Sequence, residues 1–217
     1  NGVHLPDNTS ANSLVPPWSK QIPEGDKVLL FLGRFHQKKG LEPLLNAWLS
    51  VLSLARKNRW WLVFIGFGDD GDLQNQLRDF PVERCLVYGP AFGAMKHTVL
   101  SNASAFVLPS FSEGLPMAAL EAMAYQLPCL LSQACNLPQA FQSHAAIEAD
   151  PDSARLIQSL QQLFLQSDHQ RSLMGSQGYD LVSKHFTWEH VSKQFKQLYS
   201  WNLGLISSAP DFVQVSL

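Results

Sequence analysis

The sequence predicts an α/β protein with a doubly wound parallel sheet, and three observations lead to this prediction. Short apolar runs alternate with longer segments whose apolar residues recur at helical spacing. Glycine or proline follows several of the short runs, as is typical of strand ends. After residue 152 the alternation stops, and three helical segments follow one another. Strands separated by helices form βαβ units, so we expect a Rossmann-like parallel sheet followed by C-terminal helices.

Six apolar runs are predicted as strands. The run 28–32 is continuously apolar, as expected of a strand that is buried on both faces. Gly66 closes the second run, Gly89 the third and Pro109 the fourth. The predicted strands cover residues 28–32, 60–65, 85–88, 105–108, 129–132 and 145–147.

Seven segments are predicted as helices. In the first of them, Leu41, Leu44 and Trp48 recur at the spacing of one helix face. Asp152 and Thr187 are expected as N-cap or first-turn residues of later helices. The predicted helices cover residues 41–57, 70–80, 92–101, 117–125, 152–166, 169–185 and 188–201.

The composition indicates a globular domain. Of the 217 residues, 46% are hydrophobic and 16% are charged, which excludes a disordered chain. We expect one domain over residues 1–203 and a loose tail over 204–217, where periodicity is lost. A net charge of −2 gives no reason to expect a nucleic-acid partner. No apolar run reaches the length of a membrane span, about 18 residues. Because the chain opens on Asn1 rather than Met, we expect it to come from a longer protein.

The cysteines and histidines do not predict a metal centre or a disulfide framework. Cys85, Cys129 and Cys135 are odd in number and lack Cys-x-x-Cys spacing, which fits a reducing cytosol. The seven histidines form no pair at the spacing of metal ligands. We therefore expect a cytoplasmic protein without a metal or other cofactor.

Four loops are the candidates for a binding site. In a doubly wound sheet, ligands bind beyond the carboxyl ends of the strands. The loops that follow the first four predicted strands cover residues 33–40, 66–70, 89–93 and 109–116.

The first loop is strongly basic. It reads Gly33-Arg34-Phe35-His36-Gln37-Lys38-Lys39-Gly40 and follows a buried strand directly. Guanidinium and ammonium groups both suit phosphate oxygens. The loop therefore indicates either a phosphate site or a solvated basic turn before a helix.

The fourth loop leads into a helix and carries two carboxylates. Pro116 is placed near the first helical position, where a missing N–H costs little, and the free amides of that turn can bind an anion. Glu113 precedes the helix, and Glu121 lies inside an otherwise apolar stretch of it. Sugar hydroxyls could satisfy both carboxylates. Alternatively, Glu113 caps a turn and Glu121 is simply exposed to water.

The second loop carries a weak dinucleotide signal. Gly66, Gly68 and Gly71 match Gly-x-Gly-x-x-Gly after a strand. The acidic residue expected about twenty positions later is missing, because residues 85–88 are apolar. An NAD-dependent oxidoreductase domain therefore stays an alternative with little support.

Together these residues resemble the GT4 family of retaining glycosyltransferases, and the resemblance extends along nearly the whole chain. The opening Asn1-Gly2-Val3 is similar to the segment that follows the family's interdomain linker, and Gly33-Arg34 with Lys39-Gly40 is similar to its donor-phosphate loop. The most specific match is Pro109-Ser110-x-x-Glu113-Gly114-x-Pro116, followed by Glu121-Ala122-Met123-Ala124. It resembles the family's Glu-x7-Glu motif and implies the C-terminal, donor-binding half of a two-domain GT-B fold.

The resemblance implies a role for each matching residue. Arg34, Lys39 and Glu113 would be catalytic, with the two cations on the donor diphosphate and Glu113 on the transferred sugar. Glu121 would bind the ribose hydroxyls, and the segment from Gly89 to Phe92 would line the base pocket. The complete set implied for donor binding is Gly33, Arg34, Lys39, Gly66, Gly89, Pro90, Phe92, Glu113, Gly114, Leu115, Pro116, Met117 and Glu121.

The resemblance also implies the donor and the partners. The donor would be a UDP-sugar such as UDP-glucose, with GDP-mannose second, and no metal would be required. An N-terminal domain of the same protein would hold a glycan or lipid-linked acceptor, so this chain alone would transfer sugar poorly. The setting would be polysaccharide biosynthesis, at the inner face of the membrane. Gln126 and Gln139 depart from the family pattern, in which Gly and Glu are usual at these positions. A non-catalytic nucleotide-sugar-binding module stays an alternative.

Overall fold

The structure, a computed structural model, describes residues 1–6, 14–68 and 81–213. Its centre is a six-stranded parallel sheet in the order β3-β2-β1-β4-β5-β6. The chain builds outward from β1 to β3, then returns to the other side of β1 and continues to β6. The predicted doubly wound sheet is therefore confirmed, and its switch point lies between β1 and β4. The strands are β1 Lys27–Phe35, β2 Trp60–Gly68, β3 Cys85–Tyr88, β4 Ala105–Leu108, β5 Cys129–Leu131 and β6 Ala146–Glu148.

Eight α-helices surround the sheet in the part of the chain that the structure describes. Two short 3-10 helices, Gln37–Lys39 and Gln133–Cys135, follow β1 and β5. Within residues 203–213 the chain forms only turns and bends. The helices are α1 Leu41–Ser50, α2 Leu52–Lys57, α3 Gly93–Ser101, α4 Met117–Ala124, α5 Pro138–Gln142, α6 Ser153–Leu165, α7 Asp168–His185 and α8 Trp188–Asn202.

The helices differ from the prediction at two places. The predicted helix 41–57 is wrong as one element, because Val51 leaves the helical conformation (φ −103°, ψ 9°) and separates α1 from α2. A β-branched residue is a weak helix former, and here its buried side chain is 3% exposed. The five-residue helix α5 is too short to show a periodic pattern. The predicted helix 70–80 lies outside the described residues.

Large aromatic side chains fill the core around the sheet. Phe31 and Phe64, on the neighbouring strands β1 and β2, pack with their ring centroids 5.7 Å apart. Trp60 stacks on Phe164 of α6 at 5.2 Å, and Trp48 of α1 meets the same ring edge-on at 5.8 Å. Since both faces of the long strands are covered, the continuous apolar run in β1 is explained.

One buried carboxylate ties together the starts of three neighbouring strands. Asp26, whose side chain is 4% exposed, precedes β1. It accepts hydrogen bonds from Trp61 Nε1 at 2.8 Å, Arg59 Nε at 2.6 Å and Arg84 NH1 at 3.1 Å, at the starts of β2 and β3. Burial by itself would raise the pKa of Asp26, but these hydrogen bonds outweigh it and hold the pKa below its usual value. The charged carboxylate therefore stabilises the fold at the end of the sheet opposite the candidate loops.

Candidate active site

The basic loop and the carboxylate-bearing loop meet beyond the ends of the adjacent strands β1 and β4. Lys39 Nζ donates to Glu113 Oε1 over 2.5 Å, although the two residues are 74 positions apart. The backbone joins the loops as well, because the Phe111 amide donates to the Lys38 carbonyl at 2.7 Å. The two loops therefore lie together in the fold.

Glu113 is held in position from several directions. Its side chain is 11% exposed and accepts a second hydrogen bond, from Ser110 Oγ at 2.5 Å. Its amide donates to the Ala134 carbonyl at 3.0 Å, and its own carbonyl accepts from Asn136 Nδ2 at 2.5 Å. The carboxylate is thus fixed beside Lys39, and its role goes beyond that of an exposed turn cap.

The start of α4 offers unused amide groups beside this pair. Pro116 is the N-cap and provides no side-chain hydrogen bond to the helix. The amides of Gly114, Leu115 and Ala118 donate to no acceptor within residues 1–6, 14–68 and 81–213. The Met117 amide, which we expected to face the ligand, instead donates to the Leu115 carbonyl at 2.9 Å. Free amides at a helix start, together with the helix dipole, favour an anion.

Glu121 is neither simply exposed nor unpaired. It lies one turn inside α4, where its side chain is 26% exposed and accepts from Lys96 Nζ of α3 at 2.6 Å. One turn further along α4, the Tyr125 hydroxyl pairs with the ring of His97. Burial raises the pKa of Tyr125, and the nearby charge of Glu121 raises it further. These two contacts fasten α3 to α4.

An exposed aromatic pair stands at the ends of β2 and β3. Phe67 is the penultimate residue of β2 and is 55% exposed, while Phe92 directly precedes α3 and is 69% exposed. Their ring centroids are 6.5 Å apart. Phe92 belongs to the predicted site, together with the exposed residues Gly89 and Pro90. Phe67 was missed, although a phenyl ring between two glycines at a strand end is a signal that could have identified it.

The glycines of the second loop have a structural explanation. A Cβ on Gly66 would lie 1.8 Å from the carbonyl oxygen of Gly33, its register partner on β1. A Cβ on Gly68 would likewise lie 1.8 Å from the carbonyl oxygen of Phe35. Close contact with β1 therefore requires glycine at both positions, without a dinucleotide. Gly71 lies outside the described residues.

Comparison with known proteins decides the family. The sequence model for glycosyl transferases group 1 matches residues 16–180. The chain belongs to the glycosyl transferase group 1 family. The doubly wound sheet described above is therefore the sheet of a member of this family, and the contact of Lys39 with Glu113 occurs within the matched region.

The chain is similar to two bacterial proteins of this kind. It is 29% identical over 186 residues to the O-antigen chain mannosyltransferase B of Escherichia coli. This alignment covers 78% of this chain and 45% of that protein. It is 35% identical over 135 residues to the lipopolysaccharide 1,6-galactosyltransferase of Salmonella typhimurium. This alignment covers 58% of this chain and 34% of that protein. The chain thus spans less than half the length of these relatives.

A solved structure agrees with the fold. The C-terminal domain of the glycosyl transferase group 1 family protein LpcC from Francisella tularensis matches with a TM-score of 0.65 and 22% identity. The match covers 78% of this chain and 90% of that domain. At this identity the likeness concerns the fold alone, and it supports the Rossmann-like sheet of a GT-B glycosyltransferase.

The chain also has an open apolar groove away from the predicted site. The groove measures about 450 Å³, and none of the predicted site residues lines it. It runs along α8, where Trp188 and Phe195 are 46% and 47% exposed. Its lining residues are Trp188, Val191, Ser192, Phe195, Lys196, Tyr199, Ser200 and Leu203.

Two further observations concern metals and membranes. Within residues 1–6, 14–68 and 81–213, no group of three His, Cys, Asp or Glu side chains could hold a metal ion. Over the same residues, no helix has the length and apolar character needed to cross a bilayer.

Proposed function

We propose that this chain is the donor-binding half of a retaining glycosyltransferase that uses a nucleoside diphosphate sugar. The observation that carries the proposal is the contact between Lys39 and Glu113 beside the uncapped start of α4. It places a cation, a carboxylate and free amides at one point, which suits a ligand with both phosphate and hydroxyl groups.

In this proposal the diphosphate binds between the basic loop and α4. Arg34, which is exposed at the end of β1, and Lys39 supply positive charge. The amides of Gly114, Leu115 and Ala118 supply neutral donors. During transfer the bond from sugar C1 to the β-phosphate oxygen breaks, and the acceptor oxygen bonds to C1 on the same face. The proton of the acceptor hydroxyl passes to the departing phosphate oxygen. The cations and amides stabilise the charge that develops on the departing nucleoside diphosphate.

Glu113 binds the transferred sugar in the same proposal. An ionised carboxylate only accepts hydrogen bonds, so sugar hydroxyls are suitable donors for it. In the structure Lys39 and Ser110 both donate to its Oε1. A donor would draw Lys39 toward the diphosphate and replace it on Glu113 with a hydroxyl. The ion pair thus keeps both groups in place before the donor arrives.

The nucleoside occupies the other end of the site. Glu121 binds the ribose hydroxyls, and Gly89, Pro90 and Phe92 line the base pocket. We propose a UDP-sugar such as UDP-glucose as donor, with GDP-mannose second. Because one relative is named as a mannosyltransferase and another as a galactosyltransferase, the family match alone leaves the sugar open.

The acceptor belongs to another part of the protein. The chain spans 45% of the E. coli relative, and the matching LpcC structure is a C-terminal domain. We therefore propose that an N-terminal domain holds a glycan or lipid-linked acceptor, in the cytoplasm at the inner membrane face. Names that contain O-antigen and lipopolysaccharide support such an acceptor and a role in polysaccharide biosynthesis. Alone, the chain should bind donor without transferring sugar.

Titration calorimetry of the 217-residue chain with UDP, GDP and UDP-glucose tests this proposal. We expect saturable binding of at least one of them, weakened about tenfold or more in Arg34→Ala, since a charged hydrogen bond contributes about 1.5–3 kcal/mol. Arg56→Ala is the matched control, because this half-exposed arginine pairs with Glu83 outside the site. A folded chain that binds none of the three nucleotides would contradict the proposal.

A further inference from the structure

Lys96 extends from the aromatic pair toward the carboxylate of α4. Its amide donates to the Phe92 carbonyl at 3.4 Å, so Lys96 lies one turn beyond the exposed ring of Phe92. Its ammonium crosses to α4 and donates to Glu121 Oε1 at 2.6 Å. The side chains of Lys96 and Glu121 are 33% and 26% exposed, which leaves this pair reachable for a ligand. Lys96 was not among the site residues predicted from the sequence.

The Lys96 ammonium has unused hydrogen-bonding capacity. An ammonium group carries three N–H donors and no acceptor. In the part of the chain that the structure describes, Glu121 is its one side-chain partner and uses one of these donors. At least one more donor can therefore be offered to a bound molecule without breaking the pair.

We infer that Lys96 positions Glu121 on the ribose and selects a nucleobase with a keto oxygen at pyrimidine position 4 or purine position 6. The inference rests on the proposed function, in which Glu121 binds the ribose hydroxyls. The base is attached at the ribose carbon next to the one that carries the 2′-hydroxyl, so it lies close to whatever holds Glu121. The rings of Phe67 and Phe92 give that base apolar surface to stack on.

The chemistry of the ammonium decides which bases fit. Uracil and guanine present a keto oxygen at the ring position where cytosine and adenine carry an amino group. Lys96 can donate to a keto oxygen, but it opposes an amino group, because both would be donors. The site should therefore prefer UDP and GDP to CDP and ADP, and the preference should depend on Lys96.

Titration calorimetry with UDP, GDP, CDP and ADP tests this inference on the 217-residue chain. We compare the parent chain with Lys96→Met, which keeps the apolar stem and removes the donors. Lys193→Met is the matched control, because that lysine forms a similar pair with Glu189 at 2.6 Å on the exposed face of α8. Thermal unfolding of each variant establishes that it is folded.

Four outcomes decide the matter. The inference predicts that Lys96→Met weakens UDP or GDP binding about tenfold. CDP and ADP lose only the positioning of Glu121, so their binding should weaken by about threefold or less, and the preference for UDP and GDP should shrink accordingly. An equal loss for all four nucleotides would overturn base selection and reduce Lys96 to a support for Glu121. An unchanged preference in the variant would overturn the inference while the proposed function stands. If the parent chain binds none of the four, the proposed function fails and the inference fails with it.

Discussion

The backbone at Gly40 lies directly against the carbonyl oxygen of Pro109, so closely that a Cβ at position 40 would stand 2.0 Å from that oxygen. Gly40 ends the 3-10 helix that carries Lys39, and it has a left-handed backbone with φ +69°. Pro109 directly follows β4 and is the first residue of the loop that carries Glu113. The approach of the two loops therefore depends on the absence of a side chain at position 40.

Replacement of Gly40 by alanine should separate these loops. We expect the free energy of unfolding to fall by about 3 kcal/mol or more, because left-handed strain and a clash with backbone act together. Urea denaturation measures the effect. Gly204→Ala is the matched control: Gly204 has φ +71°, but nothing lies within 4 Å of its added Cβ, so only the strain of about 1 kcal/mol remains. Equal losses in the two variants would show that Pro109 does not constrain Gly40.

Lys39 and Glu113 should have separable effects on ligands. Lys39→Met removes a charged group that would donate hydrogen bonds to the phosphates, and it leaves the 11% exposed Glu113 without its cation. We therefore expect UDP binding to weaken about tenfold. Glu113→Gln removes the charge that competes for Lys39, so UDP binding should be kept or strengthened. The same variant should lose any extra affinity for UDP-glucose over UDP. Calorimetry with both ligands measures these differences, and an equal loss of UDP affinity in both variants would contradict the assignment of Glu113 to the sugar.

How far the sequence predicts this molecule depends on the range of the interactions involved. The strands follow from local apolar runs, and a doubly wound sheet places the loops that follow its strands along one edge. The sequence therefore predicts that both motif loops lie at this edge, whereas the adjacency of β1 and β4 and the contact between Lys39 and Glu113 come from the structure.

The remaining features depend on tertiary contacts that a local pattern does not carry. From the sequence alone, Lys96 would be expected to be a surface lysine. Only the fold brings its Nζ within 2.6 Å of Glu121 Oε1, because α3 and α4 lie side by side. The sequence does not show which amide at the start of α4 is free. The structure shows that the Met117 amide donates to the Leu115 carbonyl across Pro116, while the Ala118 amide stays available among the described residues. The break at Val51 likewise follows from burial of its side chain between packed elements, within a run that has helical spacing throughout.

Phe67 should contribute to nucleotide binding without distinguishing the bases. A base stacked on an aromatic ring contributes about 1–3 kcal/mol, so Phe67→Ala should weaken UDP and CDP binding by a similar factor, about tenfold. Inorganic pyrophosphate has no base, so its binding should not change. Phe212→Ala is the control, because Phe212 is 43% exposed and lies in the turns that follow α8. If pyrophosphate binding falls as much as UDP binding, Phe67 acts through the loop backbone and not by stacking.

The carboxylate of Asp26 should make stability depend on pH in the acid range. Its pKa is lowered because the hydrogen bonds from Trp61, Arg59 and Arg84 outweigh the effect of burial. A lowered pKa means that the contribution to the free energy of unfolding is complete above the pKa of the unfolded chain, about 3.9, and is lost as pH falls below it. Asp26→Asn should therefore cost about 2 kcal/mol at pH 7, and this cost should shrink below about pH 4.

Urea denaturation of the parent chain and Asp26→Asn between pH 3 and pH 7 measures this difference. Glu83→Gln is the matched control, since Glu83 also accepts hydrogen bonds from an arginine, Arg56, but both side chains are about half exposed. Water and salt screen such a surface pair, so its removal should change stability little at any pH. A cost of Asp26→Asn that is the same at pH 3 and pH 7 would mean that the charge of the carboxylate does not contribute to the free energy of unfolding. The three strand starts would then be held by hydrogen-bond geometry alone, without a contribution from charge.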